Sequence, residues 1–146
     1  MFSHIHTRTV EFGDCDPAQI VFYPRFFAFF DAATAALFHA ALGRNLRMVF
    51  ADHGIVGIPL VSAEAKFISP AAFGDVIQTW STVTEFGRSS IKLTHRISHG
   101  GRLCVEGHEV RVWAGRAPGD PARLMGLPIP DDVRTAFARE GSPPPA

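Results

Sequence analysis

The stretch of this chain richest in chemistry is Glu11-Phe12-Gly13-Asp14-Cys15-Asp16-Pro17-Ala18-Gln19-Ile20-Val21-Phe22-Tyr23-Pro24. It reads as the end of a strand, a turn-rich loop and the start of a helix. Helix starts carry backbone N–H groups with no partner inside the helix, and such groups polarise a carbonyl oxygen or hold an oxyanion. Pro24 has no N–H, which leaves Tyr23, Arg25 and Phe26 as donors. A carboxylate just upstream, Asp16, could attack the same carbonyl or activate a water against it. Acyl transfer needs both parts, and this segment supplies both types. Asp16 precedes a proline, so its backbone is expected to be extended. Its plainer role is to cap a turn. Asp14 is expected to bond nearby backbone amides. Cys15 lies between two carboxylates, which disfavour the thiolate a nucleophile requires.

These residues need elements to hold them. Residues 5–12 alternate weakly, with Val10 and Phe12 on one side, and read as a first strand. Residues 23–42 read as the long helix: Pro24 suits a first helical position, and Gly43 is a stop signal. Phe26, Phe30, Ala33, Leu37 and Ala41 form one apolar stripe along it. Residues 46–53 read as a short helix closed by Gly54. Residues 58–68 alternate as a half-buried strand, with Val61, Ala63, Ala65 and Phe67 on one face and Ser62, Glu64 and Lys66 on the other. Strands follow at 76–85 and at 90–98, where Ile91, Leu93 and Ile97 share a face. The last strand, 102–114, changes parity between Leu103/Val105 and Val110/Val112, which predicts a β-bulge at Gly107. A short helix near 131–139 ends one domain over residues 1–140, and residues 141–146 are expected to be disordered. Strands joined by short turns argue for an antiparallel sheet, with one apolar helix packed on it: an α+β architecture.

Composition narrows the function classes. Acidic and basic residues balance, with 14 of each, which argues against general nucleic-acid binding. Two Cys are too few for a disulfide scaffold. No membrane span and no signal peptide are expected, so the cytoplasm is the expected location. Thirteen Phe in 146 residues is more apolar surface than one small domain easily hides, which predicts a subunit interface.

Other side chains carry weaker signals. Asp31 falls inside the apolar helix, near Phe27, Thr34 and Phe38 by helical spacing. It lies either on an exposed face or where it touches a ring substituent of a bound acyl group. Phe26, Phe27, Phe29 and Phe30 read as core, some of them available to line an aryl pocket. Arg88, Ser89, Ser90, Arg111 and Arg123 are candidates for holding phosphates, since Arg presents a fork of donors; ordinary surface charge is the competing reading. His4 and His6 share a strand face, but no ligand spacing completes a metal site. His39, His95, His99 and His108 read as partly buried or surface histidines.

The segment around Asp16 resembles the signature of the 4-hydroxybenzoyl-CoA thioesterase family, roughly Phe-Gly-Asp-Cys-Asp-Pro-Ala-x-Ile-Val-x-Tyr-Pro. The matching residues are Phe12, Gly13, Asp14, Cys15, Asp16, Pro17, Ala18, Ile20, Val21, Tyr23 and Pro24. Residues 54–62 and the strand Glu109-Val110-Arg111-Val112 are similar to later parts of the family, so the likeness extends to about residue 130. The resemblance implies a hotdog fold, a five-stranded antiparallel sheet wrapped around the long helix. It implies a homodimer joined edge to edge, pairing further into a homotetramer, with active sites at the dimer interface. It implies that Asp16 is the essential acid and that the Tyr23 amide holds the thioester oxygen. The substrate implied is a small-molecule acyl-CoA, with no cofactor beyond the CoA that is part of it. Pro24 stands where many relatives acting on aliphatic esters have His, which favours an aromatic acyl group. Phe27, Asp31 and Ile58 are then the candidate acyl-pocket residues. The chain departs from the 4-hydroxybenzoyl members at Ile58, where they carry Thr, and around Gly87-Arg88-Ser89-Ser90, where they are more basic.

Two rivals remain at this point. A hotdog hydratase or dehydratase needs a His paired with an acid, and His39 is the rough candidate. A non-catalytic acyl-CoA-binding protein needs no reactive acid at all.

Overall fold

The computed structural model describes residues 1–145. In chain order the elements are β1 (Ser3–Thr9), a 3-10 turn (Phe12–Asp14), α1 (Pro24–Leu42), α2 (Leu46–His53), β2 (Leu60–Phe67), β3 (Val76–Phe86), β4 (Ser90–His99), β5 (Arg102–Val112), β6 (Ala114–Ala117), β7 (Asp120–Gly126) and α3 (Asp131–Phe137). The main sheet has five antiparallel strands in the order β1-β3-β4-β5-β2, and β6 and β7 form a separate hairpin. This is the α+β arrangement expected, with α1 across one face of the sheet.

The stripe along α1 explains its seat. Phe26, Phe30, Ala33, Leu37 and Ala41 are all buried, joined by Phe29, Thr34 and Phe38. Each large apolar side chain removed from water there contributes about 1.5–3 kcal/mol. Pro24 opens the helix, and Gly43, at φ 72°, closes it by donating its N–H to the His39 carbonyl. By length and composition alone α1 is long and apolar enough to cross a bilayer, a test that a buried core helix also passes. Its phenylalanine face instead forms the domain core.

The strands depart from expectation in four places. The first strand spans Ser3–Thr9, not 5–12, because the Glu11 N–H bonds the Asp14 carboxylate and pulls the chain into the 3-10 turn. Val10 is then buried while Phe12 points to solvent. The bulge is not at Gly107, which pairs in register with both His95 and Ala65. It falls at Cys104, skipped between the pairs Ile97/Val105 and Ser98/Leu103, and the Cys104 carbonyl accepts from both Ile68 and Ser69. The parity of β5 changes because Glu109 and Arg111 face the core, in line with Val105, Gly107 and Trp113. Strand β2 is an edge strand with neither face well covered: Leu60, Val61 and Phe67 are exposed. The β6–β7 hairpin was not expected, because its strands carry no apolar alternation to reveal them.

The tail also differs. The Ser142 carbonyl accepts from Ser3 Oγ at 2.5 Å and from Trp80 Nε1 at 2.9 Å, so the chain is tied to β1 and β3 at least that far. Ala146 lies outside the described residues.

Gly107 has a steric reason to be glycine. A Cβ built there would run into the ring of Phe30 on α1. Gly107→Ala is expected to lower stability by about 1–3 kcal/mol through overpacking. Urea unfolding with an unchanged slope would register this as a shift in midpoint.

Candidate active site

The loop that carries Asp16 is a small pinched hairpin. Phe22 N–H donates to the Asp14 carbonyl at 2.9 Å, Cys15 bridges to Val21, and Asp16 N–H donates to the Ile20 carbonyl at 3.0 Å. Gln19 closes the turn at φ 65°, a left-handed conformation. The outer arm docks on the chain before β3: Val21 N–H donates to Ala71, and Phe73 N–H to Gln19. Asp14 is buried at the base, bonded to the Glu11 amide and 3.9 Å from Arg8. The bond to the Glu11 amide is the backbone contact expected of it.

Asp16 itself is half-buried, and its Oδ1 accepts from Ala18 N–H at 2.9 Å. That is the turn-capping contact anticipated, and it also fixes the carboxylate's direction. The side chain lines a cleft of about 520 Å³ with Phe12, Cys15, Gln19 and Phe73. Desolvation, then the charges of Asp14 and Asp16, push the Cys15 thiol above its ordinary pKa. A thiol held protonated is a poor nucleophile.

Of the three candidate donors at the helix start, Arg25 N–H is taken by the Phe22 carbonyl and Phe26 N–H by Tyr23. Tyr23 N–H has no acceptor among the described residues. It sits at the positive end of a 19-residue helix, where an oxyanion is stabilised. Tyr23 opens on a different cleft from Asp16, one shared with Ile20, Phe26, Phe67 and Ile68 at the end of the free β2 edge. A single chain therefore presents the acid and the free amide on neighbouring clefts rather than in one.

Tyr23, Phe27 and Asp31 follow each other at four-residue spacing, so they share one side of α1. Phe27 is half-buried, edge-on to Phe30 with ring centroids 5.8 Å apart. The Asp31 side chain is 68% exposed and pairs with Arg111. It opens on a third cleft, of about 400 Å³, with Thr34, Phe50, Ile58 and Arg111.

The phosphate candidates divide. Arg111 is buried, bonded to Glu109, Asp31 and the Ile58 carbonyl. As a phosphate ligand it is corrected: its Nη donors are committed within the chain to Asp31, Glu109 and the Ile58 carbonyl. Arg88, Ser89 and Ser90 form the β3–β4 turn, and Arg123 is exposed on β7. That turn is at the opposite end of β3 from the Asp16 loop. Eleven strand residues separate the two ends, about 33 Å at ordinary strand rise. Within one chain these groups do not converge on Asp16.

The feature not foreseen is a buried ionic array between α1 and the sheet. His95 is fully buried, its Nε2 2.6 Å from Glu109 Oε1 and its Nδ1 2.6 Å from Ser81 Oγ, and Phe30 stacks on it. Glu109 Oε2 accepts from Arg111 at 2.8 Å. The signal was present: His95 shares the parity of Ile91, Leu93 and Ile97, and a polar residue in such a row is a buried polar group needing a partner. His39 has no carboxylate partner among the described residues, and the close His95–Glu109 pair is sealed from solvent. Neither offers the accessible acid–base pair a hydratase needs. Among the described residues no three His, Cys, Asp or Glu side chains converge as a metal site would.

Burial raises the Glu109 pKa, but the His95 hydrogen bond and charge, with Arg111, outweigh it and hold the carboxyl below its ordinary value of 4.5. A carboxylate with a depressed folded-state pKa stabilises the fold above its unfolded value, and this is lost as pH falls through the folded value. From about pH 5 to about pH 3 the wild type is therefore expected to lose more stability than Glu109→Gln, measured by chemical unfolding at each pH.

Comparison with known proteins fits this geometry. Residues 10–137 match the model of a family described as the thioesterase-like superfamily. The chain is 35% identical over 128 residues to a 4-hydroxybenzoyl-CoA thioesterase of Pseudomonas sp. strain CBS-3, covering 84% of this chain and 89% of that one. It is 35% identical over 92 residues to a 1,4-dihydroxy-2-naphthoyl-CoA hydrolase of Synechococcus elongatus, covering 63% of this chain and 67% of that one. The solved Pseudomonas 4-hydroxybenzoyl-CoA thioesterase superposes with a TM-score of 0.84 at 32% identity, over 93% of this chain and 99% of that one. A 4-hydroxybenzoyl-CoA thioesterase variant with Asp replaced by Asn, complexed with 4-hydroxybenzoyl-CoA, superposes equally well, at 0.84 and 32% identity, over 94% and 99%. A gentisyl-coenzyme A thioesterase gives 0.77 at 32% identity, over 93% and 100%. The five-stranded sheet around α1 is thus the hotdog fold.

Proposed function

This chain belongs to the thioesterase-like superfamily and hydrolyses acyl-CoA thioesters, and we propose that its substrate is an aromatic acyl-CoA cleaved with Asp16. The observation that carries the reading is the unpartnered Tyr23 N–H at the tip of α1, with Phe27 and Asp31 following on the same helix side. Asp31 is eight residues beyond Tyr23, a rise of about 12 Å, shortened by the lean of side chains toward the helix start. An aryl thioester laid along this side would have its carbonyl oxygen at the Tyr23 amide, its ring against Phe27 and a ring substituent toward Asp31 and Ile58.

In this reading Asp16 either attacks the thioester carbon or takes a proton from a water that does. The amide and the helix dipole stabilise the oxygen as negative charge builds on it. Collapse expels the CoA thiolate and leaves the free acid, directly or after hydrolysis of an acyl–Asp16 anhydride. Single-turnover hydrolysis in heavy-oxygen water tests for the anhydride, since label enters Asp16 only when water opens an acyl–Asp16 anhydride at the aspartyl carbonyl, and trapping of the acyl-enzyme covers opening at the acyl carbon. The relative crystallised with 4-hydroxybenzoyl-CoA, in which an Asp had been replaced by Asn, supports an acid in this role.

Closure of the site is assigned to a second copy. Val61 is 64% exposed on the unpaired β2 edge, and Phe67 and Ile68 continue the apolar strip to the Tyr23 cleft. A long apolar edge strand invites pairing with another chain. Two copies joined along β2 would cover this strip and enclose the Asp16 and Tyr23 clefts. Arg88, Ser89, Ser90 and Arg123 are then assigned to the CoA phosphates across a contact between copies, since they lie far from Asp16 in their own chain.

Asp16→Asn is expected to lower turnover by about 10²-fold or more with an unchanged melting temperature. Thiol release from benzoyl, hydroxybenzoyl, phenylacetyl and aliphatic CoA esters is the assay. Faster turnover of the aliphatic esters would overturn the aromatic assignment. Unchanged turnover in the variant would overturn the role of Asp16. Light scattering is expected to give a dimer or tetramer, and Val61→Lys, which puts a charge on the free edge, is expected to shift it toward monomer with loss of activity.

A further inference from the structure

Asp31 is an exposed acid whose carboxylate is nonetheless fixed, and what fixes it runs deep into the sheet. The Arg111 Nη2 group is shared between Asp31 Oδ1 and Glu109 Oε2, and Nη1 donates to the Ile58 carbonyl at 3.3 Å. Glu109 is held in turn by His95, and His95 by Ser81. Thr34 Oγ1 donates to Glu109 Oε1 at 3.4 Å from the α1 side. The line therefore crosses β3, β4 and β5 and ends on α1 at the cleft.

Such an array is costly to bury. Desolvating each ion takes several kcal/mol, and apolar side chains of similar volume often stabilise a fold as well or better. Its effect that apolar side chains could not reproduce is geometric: it fixes an acceptor at the cleft mouth. Two carboxylates share one guanidinium, so the face offered to a ligand is an acceptor face. It suits a hydroxyl or amino group and repels a carboxylate.

We propose that Glu109 and Arg111 are positioning residues that hold the Asp31 carboxylate in place and so make the acyl pocket select aryl groups carrying a hydrogen-bond donor. The inference rests on the aryl-CoA reading above and extends it from the contacting residue to the buried array behind it. Neither Glu109 nor Arg111 need touch the reacting atoms; both act through Asp31.

The test compares 4-hydroxybenzoyl-CoA with benzoyl-CoA in the full-length wild type and in Glu109→Gln, Arg111→Lys and Glu109→Asp. The wild type is expected to prefer the hydroxylated ester. Glu109→Gln and Arg111→Lys are expected to cut that preference about fivefold or more, by raising KM for the hydroxylated ester with kcat within about twofold. Benzoyl-CoA, which offers Asp31 no donor, should lose clearly less in kcat/KM than the hydroxylated ester, and Glu109→Asp, which keeps the charge, should restore part of the preference. A merely structural role would slow both esters together, in step with melting temperature, and would overturn the proposal. So would an unaltered preference in the variants, or its absence in the wild type. If Glu109→Gln fails to fold, Arg111→Lys decides the matter, since it keeps the buried positive charge. Hydrolysis of neither ester by the wild type would instead defeat the aryl-CoA reading itself.

Discussion

Phe30 lies flat on His95, ring centroids 4.7 Å apart, and over the bare backbone of Gly107. That contact sets how closely α1 approaches the sheet, and most of the functional geometry is referred to it. Because the helix sits this close, its first turn rises beside the end of β2, with Tyr23 against Phe67 at 6.0 Å between ring centroids. Because it sits in this rotation, Phe27 and Asp31 emerge on the side that faces the clefts while Phe26, Phe29 and Phe30 are buried. A side chain at position 107 would lift the helix and disturb all of these placements at once.

The electrostatics of the chain are concentrated at two places along the same helix. At its start, one N–H is left free by a proline that cannot donate and by turn bonds that consume its neighbours. One turn past Phe27, an acid is held by a guanidinium anchored in the sheet. The first is suited to a carbonyl oxygen gaining charge, the second to a donor on the far end of an acyl group. Asp16 stands outside the helix altogether, on a hairpin that Asp14 and the Ala71–Phe73 segment pin down. Rigid support on both sides is what a reaction between fixed partners requires.

The apolar edge at β2, the separate clefts of Asp16 and Tyr23, and the remote position of Arg88 and Arg123 point the same way. Each is an incomplete feature in one chain, and each would be completed by the second copy proposed above. The thirteen Phe already hint at this in the composition, and exposed Phe22 and Phe67 are among those left over once the core is filled.

What the sequence by itself determined was local. The spacing of Phe26, Phe30, Ala33, Leu37 and Ala41 gave the long helix and its buried face, since a 3.6-residue period leaves one solution. The run from Phe12 to Pro24 revealed the turn, the helix start and the family, because turn chemistry and a missing N–H are properties of neighbours in the chain. The antiparallel sheet followed from short links between alternating segments. Tertiary structure decided whatever depends on residues far apart in the chain. Arg111 looked like a phosphate ligand until the sheet faced it inward against Glu109 and Asp31. The parity change in β5 looked like a bulge at Gly107 until the buried charges accounted for it. Which side of β2 stays uncovered, and which of three helix-start amides stays free, also depended on partners that pattern and period do not encode.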